Sequence, residues 1–289
     1  MSLTRVFVLT SLAMVAFAGN SLLCRLALMD NDSQIDAASF TSIRIISGAL
    51  VLYLVVRLRR QATTGSGDWW SAAALFAYAA GFSYAYLDLP AAVGALLLFG
   101  AVQATMIGYG FSTGERLTVR QSAGLAVALS GLVGLLLPGL SAPPPVAAAL
   151  MLGSGVAWGV YSIRGKSAGD ATSKTAGNFL KAAPLALGLN LALLPASPPA
   201  TLGIVCAIAS GAITSGVGYA IWYSAIRGLK ATHAATVQLS VPVLAAAGGI
   251  VFLGEDISTR LVIASVAILG GVALVVIEKP AAHETTDPV

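Results

Sequence analysis

AATVQLSVPVLAAAGGIVFLGED, residues 234–256, decides how this chain is read. From Ala234 to Gly254 it carries no charged side chain, and at 1.5 Å per residue it is long enough to cross a hydrocarbon core about 30 Å thick. Gln238 and Pro242 interrupt it, and it stops at Gly254-Glu255. A related stretch, AAVGALLLFGAVQATMIGYGFSTGE, spans residues 91–115 and ends in Gly114-Glu115. The shared ending points to one membrane unit written twice.

Composition agrees. Of 289 residues, 57% are hydrophobic and 10% charged, whereas soluble domains carry roughly a quarter charged residues. A water-soluble enzyme or a nucleic-acid-binding domain is a poor fit, and the net charge of +4 matters less than where the charges fall. Apolar runs predict an all-α integral membrane protein with ten spans, at about 5–28, 37–57, 70–88, 91–112, 119–137, 145–164, 177–194, 200–226, 232–253 and 259–278. The first run is too long for a signal-peptide core and reads as a retained span. Short connections leave no room for a soluble domain. Cys24 and Cys206 lie inside apolar runs without metal-ligand spacing, so neither a metal nor a cofactor is expected.

Basic residues set the orientation. Arg57, Arg59 and Arg60 follow span two, Arg116 and Arg120 span four, and Arg164, Lys166 and Lys174 span six. Arg227 and Lys230 follow span eight, and Lys279 span ten; only Arg25 and Arg260 break the pattern. The positive-inside rule then puts both termini in the cytoplasm.

At an offset of 140, Gly114-Glu115 falls on Gly254-Glu255, Arg120 on Arg260 and Phe82 on Trp222; one residue of slip brings Phe17 onto Trp158. The expected organisation is a five-helix repeat over 1–138, a second over 143–280, and a short polar cytoplasmic tail over 281–289. Five is odd, so the second repeat enters from the opposite side, the inverted symmetry that many secondary transporters share. Glu115 and Glu255 then sit near opposite membrane surfaces, with no carboxylate deep in a span to carry protons. Small residues at Gly124 and Ala128, Gly155 and Gly159, and Ala267 and Gly271 form ridges for close helix packing.

Polar residues inside lipid need a partner or an aqueous cavity. Asn20, Gln103 and Gln238 are candidates to orient a solute, with Pro242 freeing the carbonyl of Gln238 in a helix break. Interhelical hydrogen bonding without a solute explains them as well. Arg44, about two turns into span two, suits either a carboxylate-bearing solute or a structural partner such as Asp36. Lys181 is expected to snorkel, and His233 to lie at the interface. Phe17, Tyr78, Phe82, Trp158, Tyr161, Tyr219 and Trp222 supply aromatic surface for an apolar chamber, although packing accounts for the same residues. Tyr84, Tyr86, Trp69 and Trp70 read as packing and interfacial belts. No P-loop and no HExxH metalloprotease motif is present, and an enzyme is not expected.

Trp158-Gly159-Val160-Tyr161-Ser162-Ile163-Arg164, Val241-Pro242-Val243 and Phe252-Leu253-Gly254-Glu255 resemble the EamA-like branch of the drug/metabolite transporter superfamily. The first half departs from it, with Phe17 where tryptophan is common and Ala101-Val102 where a proline is expected. The resemblance implies export of amino acids, metabolites or drugs across the bacterial inner membrane, with an aromatic or broad amino-acid exporter as the suggested relative. It also implies a pore lined by helices one, three, four, six, eight and nine. The expected function is therefore alternating-access export of amino acids and related small metabolites. The only partners it calls for are the solute and the lipid bilayer, with no nucleic acid and no obligatory protein. Carriers of nucleosides, other metabolites or amphipathic cationic drugs are the alternatives, ahead of a membrane sensor or lipid-modifying enzyme.

Overall fold

The structure, a computed structural model, describes residues 3–29, 34–59, 67–114, 118–139, 142–165, 170–193, 198–225 and 237–276. These residues form ten helical spans: α1 (Leu3–Leu28), α2 (Ala37–Leu58), α3 (Trp69–Ala85), α4 (Ala91–Ser112), α5 (Val119–Leu136), α6 (Pro145–Gly165), α7 (Ala171–Leu193), α8 (Thr201–Ala225), α9 (Ser240–Leu253) and α10 (Thr259–Val276). Six of them, α1, α2, α4, α5, α6 and α8, are long and apolar enough to cross a membrane, and α9 and α10 are shorter apolar helices. No strand occurs among the described residues. Side chains that a soluble protein would bury face outward, including Phe252, Val251, Val266 and Leu58; lipid is the solvent that tolerates them.

Local chemistry fixes most helix ends. The carboxylates of Asp36 and Asp68 accept the Ser39 and Ser71 amides at 2.8 and 2.9 Å, capping α2 and α3. Asp170 does the same for Ser173, so α7 starts at Ala171, six residues before the expected 177. Thr118 and Gln121 close a reciprocal capping box on α5. Gly114 and Gly254 follow α4 and α9 with φ of 92° and 65°. That left-handed conformation stops a helix, and a side chain there would be strained.

Helix pairs run antiparallel. Asn190 late in α7 donates to Ser39 early in α2, while Arg59 after α2 reaches Thr172 early in α7. Arg260 at the start of α10 bonds the Leu137 carbonyl after α5, while Gln121 early in α5 donates to Val275 late in α10. The α5–α10 seam is close to backbone on backbone: a Cβ on Gly124 would lie 2.6 Å from the Gly271 oxygen, and one on Gly271 would lie 2.5 Å from the Gly124 oxygen. Glycine at both positions is what lets these helices meet. Exchanging each of the first five helices with the one five places later preserves the main packings. Thus α3 on α6 becomes α8 on α1, α4 on α6 becomes α9 on α1, and α3 on α7 becomes α8 on α2.

Both exceptions in the charge pattern are held locally. Arg25 donates to the carbonyls of Tyr86 and Leu87 at 3.0 and 2.9 Å and pairs with Glu255 at 3.3 Å. Arg260 is anchored on Leu137 as above. Of the other charges that figured in the orientation, Arg60, Arg116, Lys166, Arg227, Lys230 and Lys279 lie outside the described residues, as do Glu115, His233 and the 281–289 tail. Lys181 donates to the Gly67 carbonyl at 2.7 Å.

Candidate functional site

α1, α3, α4, α6 and α8 converge on a small cavity, about 20 Å³, lined by Phe17, Asn20, Ser21, Tyr78, Phe82, Leu98, Phe99, Trp158, Thr214 and Tyr219. That volume holds about one water, and most of its lining side chains are buried. Its walls are ring on ring. Trp158 sits 4.8 Å from Tyr78, 5.1 Å from Tyr219 and 5.3 Å from Tyr161, centroid to centroid. Phe17 meets Tyr219 edge-on at 5.8 Å, and Tyr78 leans on Phe82 at 5.5 Å. Aromatic pairs in these geometries contribute about 0.5–1.5 kcal/mol each beyond burial.

A polar network backs this wall. Asn20 donates from Nδ2 to the Tyr78 hydroxyl at 3.3 Å, while its Oδ1 accepts from Ser210 at 2.6 Å and Thr214 at 3.2 Å. Arg44 donates through Nη2 to the same Tyr78 oxygen at 2.8 Å and, at 3.4 Å, from Nε to Ser215. Ser210, Thr214 and Ser215 belong to a stretch of α8, Ala209–Val217, wound as a π-helix. The wider winding brings Ser210, Thr214 and Ser215 round to α1 and α2; such insertions cluster at functional sites. Gly211 makes the approach possible, because a Cβ there would collide with the Arg44 carbonyl and the Ser47 hydroxyl.

Arg44 lies about 10 Å along α2 from its first residue and is 2% exposed. Asp36 is not its partner; that carboxylate caps α2 instead. The guanidinium lies over the faces of Tyr78 and Phe82, 5.0 and 4.9 Å from their centroids. An arginine within a span costs about 2.5–3.5 kcal/mol on insertion scales, and each aromatic face offsets about 0.5–2 kcal/mol. Its Nη1 has no hydrogen-bond partner.

Of the residues singled out in the sequence, Phe17, Asn20, Tyr78, Phe82, Trp158 and Tyr219 meet at the cavity. Trp222 stands behind it, edge-on to Phe17 at 5.9 Å. Tyr161 turns toward α7, where its hydroxyl donates to Thr175 and accepts from Asn178, both at 3.4 Å. Gln103 is buried in α4 and Gln238 is half-buried ahead of α9; neither lines the cavity. Pro242 lies in the first turn of α9, where a missing amide leaves no bond unmade. It lines a separate groove of about 410 Å³ between α9, α10 and Ala92, apolar but for Ser265. Although larger, that groove lacks charge and shares no lining residue with the cavity or its polar network; its outer lip, Val243, Val262 and Val266, faces lipid. Tyr86 is fully buried, its ring 4.7 Å from Phe82, while Trp69 and Trp70 are exposed. The serines and threonine of α8 were missed in the sequence; the signal was Ser210-Gly211-Ala212-Ile213-Thr214-Ser215-Gly216, a small polar run inside an apolar span.

Among the described residues, an ion pair stands at each end of the bundle. At one, Glu255 accepts the Ala91 amide at 3.0 and 2.8 Å, capping α4 while it holds Arg25. At the other, Arg164 pairs with Asp68 at 2.9 Å. Partial burial of Asp68 favours its neutral form, but the Ser71 hydroxyl and amide and then Arg164 outweigh it, holding the carboxyl down at about 2.

A bundle of long apolar helices that turns large hydrophobic side chains outward is the build of a multi-pass membrane protein. Comparison with known proteins agrees. Residues 145–277 match the EamA-like transporter family. An uncharacterized protein of Pseudomonas aeruginosa is 54% identical over 272 residues, covering 94% of each chain. A protein crystal structure shares the fold with a TM-score of 0.67 and 20% identity, over 94% of this chain and 96% of its own. Residues 145–277 of this chain are an EamA-like transporter family domain. The chain is a multi-pass membrane protein, consistent with the bacterial inner membrane.

Proposed function

We propose that this protein exports amino acids and related small metabolites across the bacterial inner membrane by alternating access. The five-helix repeats 1–138 and 143–280 are inverted relative to one another, with both termini cytoplasmic, and rock about the chamber. The antiparallel pairing of α2 with α7 and of α5 with α10 supports this arrangement, as does a packing pattern that survives exchange of the halves. Arg25, Glu255 and the start of α4 form the external closure, and Asp68 with Arg164 lies at the cytoplasmic end.

One observation carries the reading: the cavity at the helix crossing combines an apolar ring wall with Asn20, Ser21 and Thr214. An amphipathic solute needs that mixture, because unpaired polar groups in a dry site are penalised. Phe17, Tyr78, Phe82, Trp158 and Tyr219 supply contact, with Trp222 and Tyr161 supporting the wall and Asn20 orienting the polar end. Gln103 and Gln238 reach solute only in a conformation with α4 and α9 displaced. Counterflow of labelled amino acids in proteoliposomes tests the proposal. Uptake of several of them, reduced at least tenfold by Asn20→Ala, is the expected result; no uptake above empty vesicles contradicts it.

A further inference from the structure

We infer that Arg44 is the anchor for a carboxylate on the transported solute, so that this transporter takes anions and zwitterions with an apolar or aromatic body and rejects amphipathic cations. The inference rests on the chamber being the solute path. It comes from following the hydrogen bonds of the buried network to their ends. A guanidinium has five N–H groups. Arg44 directs one at Tyr78, one weakly at Ser215, and leaves Nη1 without an acceptor although only 2% of the residue is exposed. The Tyr78 oxygen accepts from both Arg44 and Asn20, which leaves its own proton to donate. Asn20 Oδ1 is already taken by Ser210 and Thr214. The donors left over are thus those of Arg44 and Tyr78, with the second Asn20 amide N–H and the Ser215 O–H, and the network carries a positive charge.

The same molecule shows what a structural arginine does here. Arg25 satisfies itself on two carbonyls and the Glu255 carboxylate. Arg164 takes Asp68 and Ser71. Arg44 has no carboxylate partner among the described residues; aromatic faces and hydroxyls surround it. A buried guanidinium with a free fork is matched by a carboxylate, whose two oxygens accept parallel N–H bonds. Tyr78 belongs to both the cavity wall and the Arg44 network, so a carboxylate entering beside its hydroxyl comes within reach of Nη1 after a small side-chain movement. A cationic solute meets a like charge at the same point.

A charge series on one scaffold tests this in the purified full-length wild-type protein and in proteoliposomes. The probes are N-acetylphenylalanine (anion), phenylalanine (zwitterion), N-acetylphenylalaninamide (neutral) and phenylalaninamide (cation), ranked by thermal stabilisation and by inhibition of phenylalanine counterflow. The two carboxylates are expected to bind at least about tenfold tighter than the matching amides, the ratio for a charge-assisted hydrogen bond. Arg44→Gln is expected to bring that ratio near one, and Arg44→Lys to keep part of it. Amides that bind as well as carboxylates overturn the inference, while their inhibition of phenylalanine counterflow upholds the chamber as a solute path. A preference undiminished in Arg44→Gln overturns the assignment to Arg44. If none of the four binds or competes, both this inference and the proposed amino-acid export fall. Should Arg44→Gln not fold, the wild-type series with Arg44→Lys still decides.

Discussion

Glu255→Gln should unlock one end of the bundle, and the chain carries its own reporter for it. Glu255 joins the start of α4, through the Ala91 amide, to α1, through Arg25. Its side chain is 13% exposed and that of Arg25 15%, so the pair is shielded more than a surface bridge. Glutamine keeps an acceptor for Ala91 but loses the charge. Arg25 retains its bonds to Tyr86 and Leu87, so α1 stays tied to α3 and only the link to α9 weakens. A charge-assisted bond is worth about 1.5–3 kcal/mol against 0.5–1.5 for a neutral one, a difference of about 1.4 kcal/mol or tenfold in the closed-to-open ratio. Cys24, next to Arg25, is fully buried in this closed form. In a Cys206→Ala background, the rate at which an impermeant maleimide modifies Cys24 in oriented vesicles should rise about tenfold in Glu255→Gln. Glu255→Asp, which keeps the charge on a shorter arm, should fall between. An unchanged rate in Glu255→Gln would refute the closure.

Other outcomes follow from single contacts. Gly271→Leu places a side chain against the Gly124 carbonyl and should lower stability by about 1–3 kcal/mol; Gly270→Leu, with open space around it, should leave the melting temperature in detergent unchanged. Trp158→Ala removes the ring shared by Tyr78, Tyr161 and Tyr219 and should cost about 3 kcal/mol, with counterflow reduced at least tenfold. Tyr161→Phe loses only two bonds of 3.4 Å toward α7, about 1 kcal/mol, and should leave flux within twofold of wild type. The Asp68 carboxyl is depressed from 3.8 to about 2, so its stabilisation is complete above pH 4 and lost as pH falls toward 2. Because its side chain is half exposed, that amounts to about 0.5–1 kcal/mol. Asp68→Asn should flatten the stability profile in that window, which acid titration monitored by tryptophan fluorescence would read.

Much of the fold was legible because a membrane span is a one-dimensional signal. Apolar runs bounded by charge, proline or glycine gave nearly the observed ends for α1, α2, α4, α5 and α6. The start of α7 escaped because Thr172, Ser173 and Lys174 break the apolar run, whereas Asp170 caps a helix through them. Which way a side chain faces was harder. Spans apolar on all sides have no amphipathic stripe to separate an inner from an outer face. Asn20, Tyr78, Phe82 and Trp158 were legible as polar or aromatic exceptions, yet by the same rule Gln103 and Gln238 looked equal to them and do not line the cavity. The orientation of Ser210, Thr214 and Ser215 depends on the π-helical winding of α8, which no α-helical periodicity reports. Arg44 was conspicuous in the sequence, but its seat between Tyr78 and Phe82 follows from the α2–α8 approach over Gly211.

The most direct test of the account is a structure of the protein with a transported amino acid bound. The account predicts the side chain of the solute packed against Trp158, Tyr78 and Tyr219, and its carboxylate within hydrogen-bond distance of Arg44 Nη1. A transported solute seated instead in the apolar groove beside Pro242, with the aromatic chamber still closed, would contradict it.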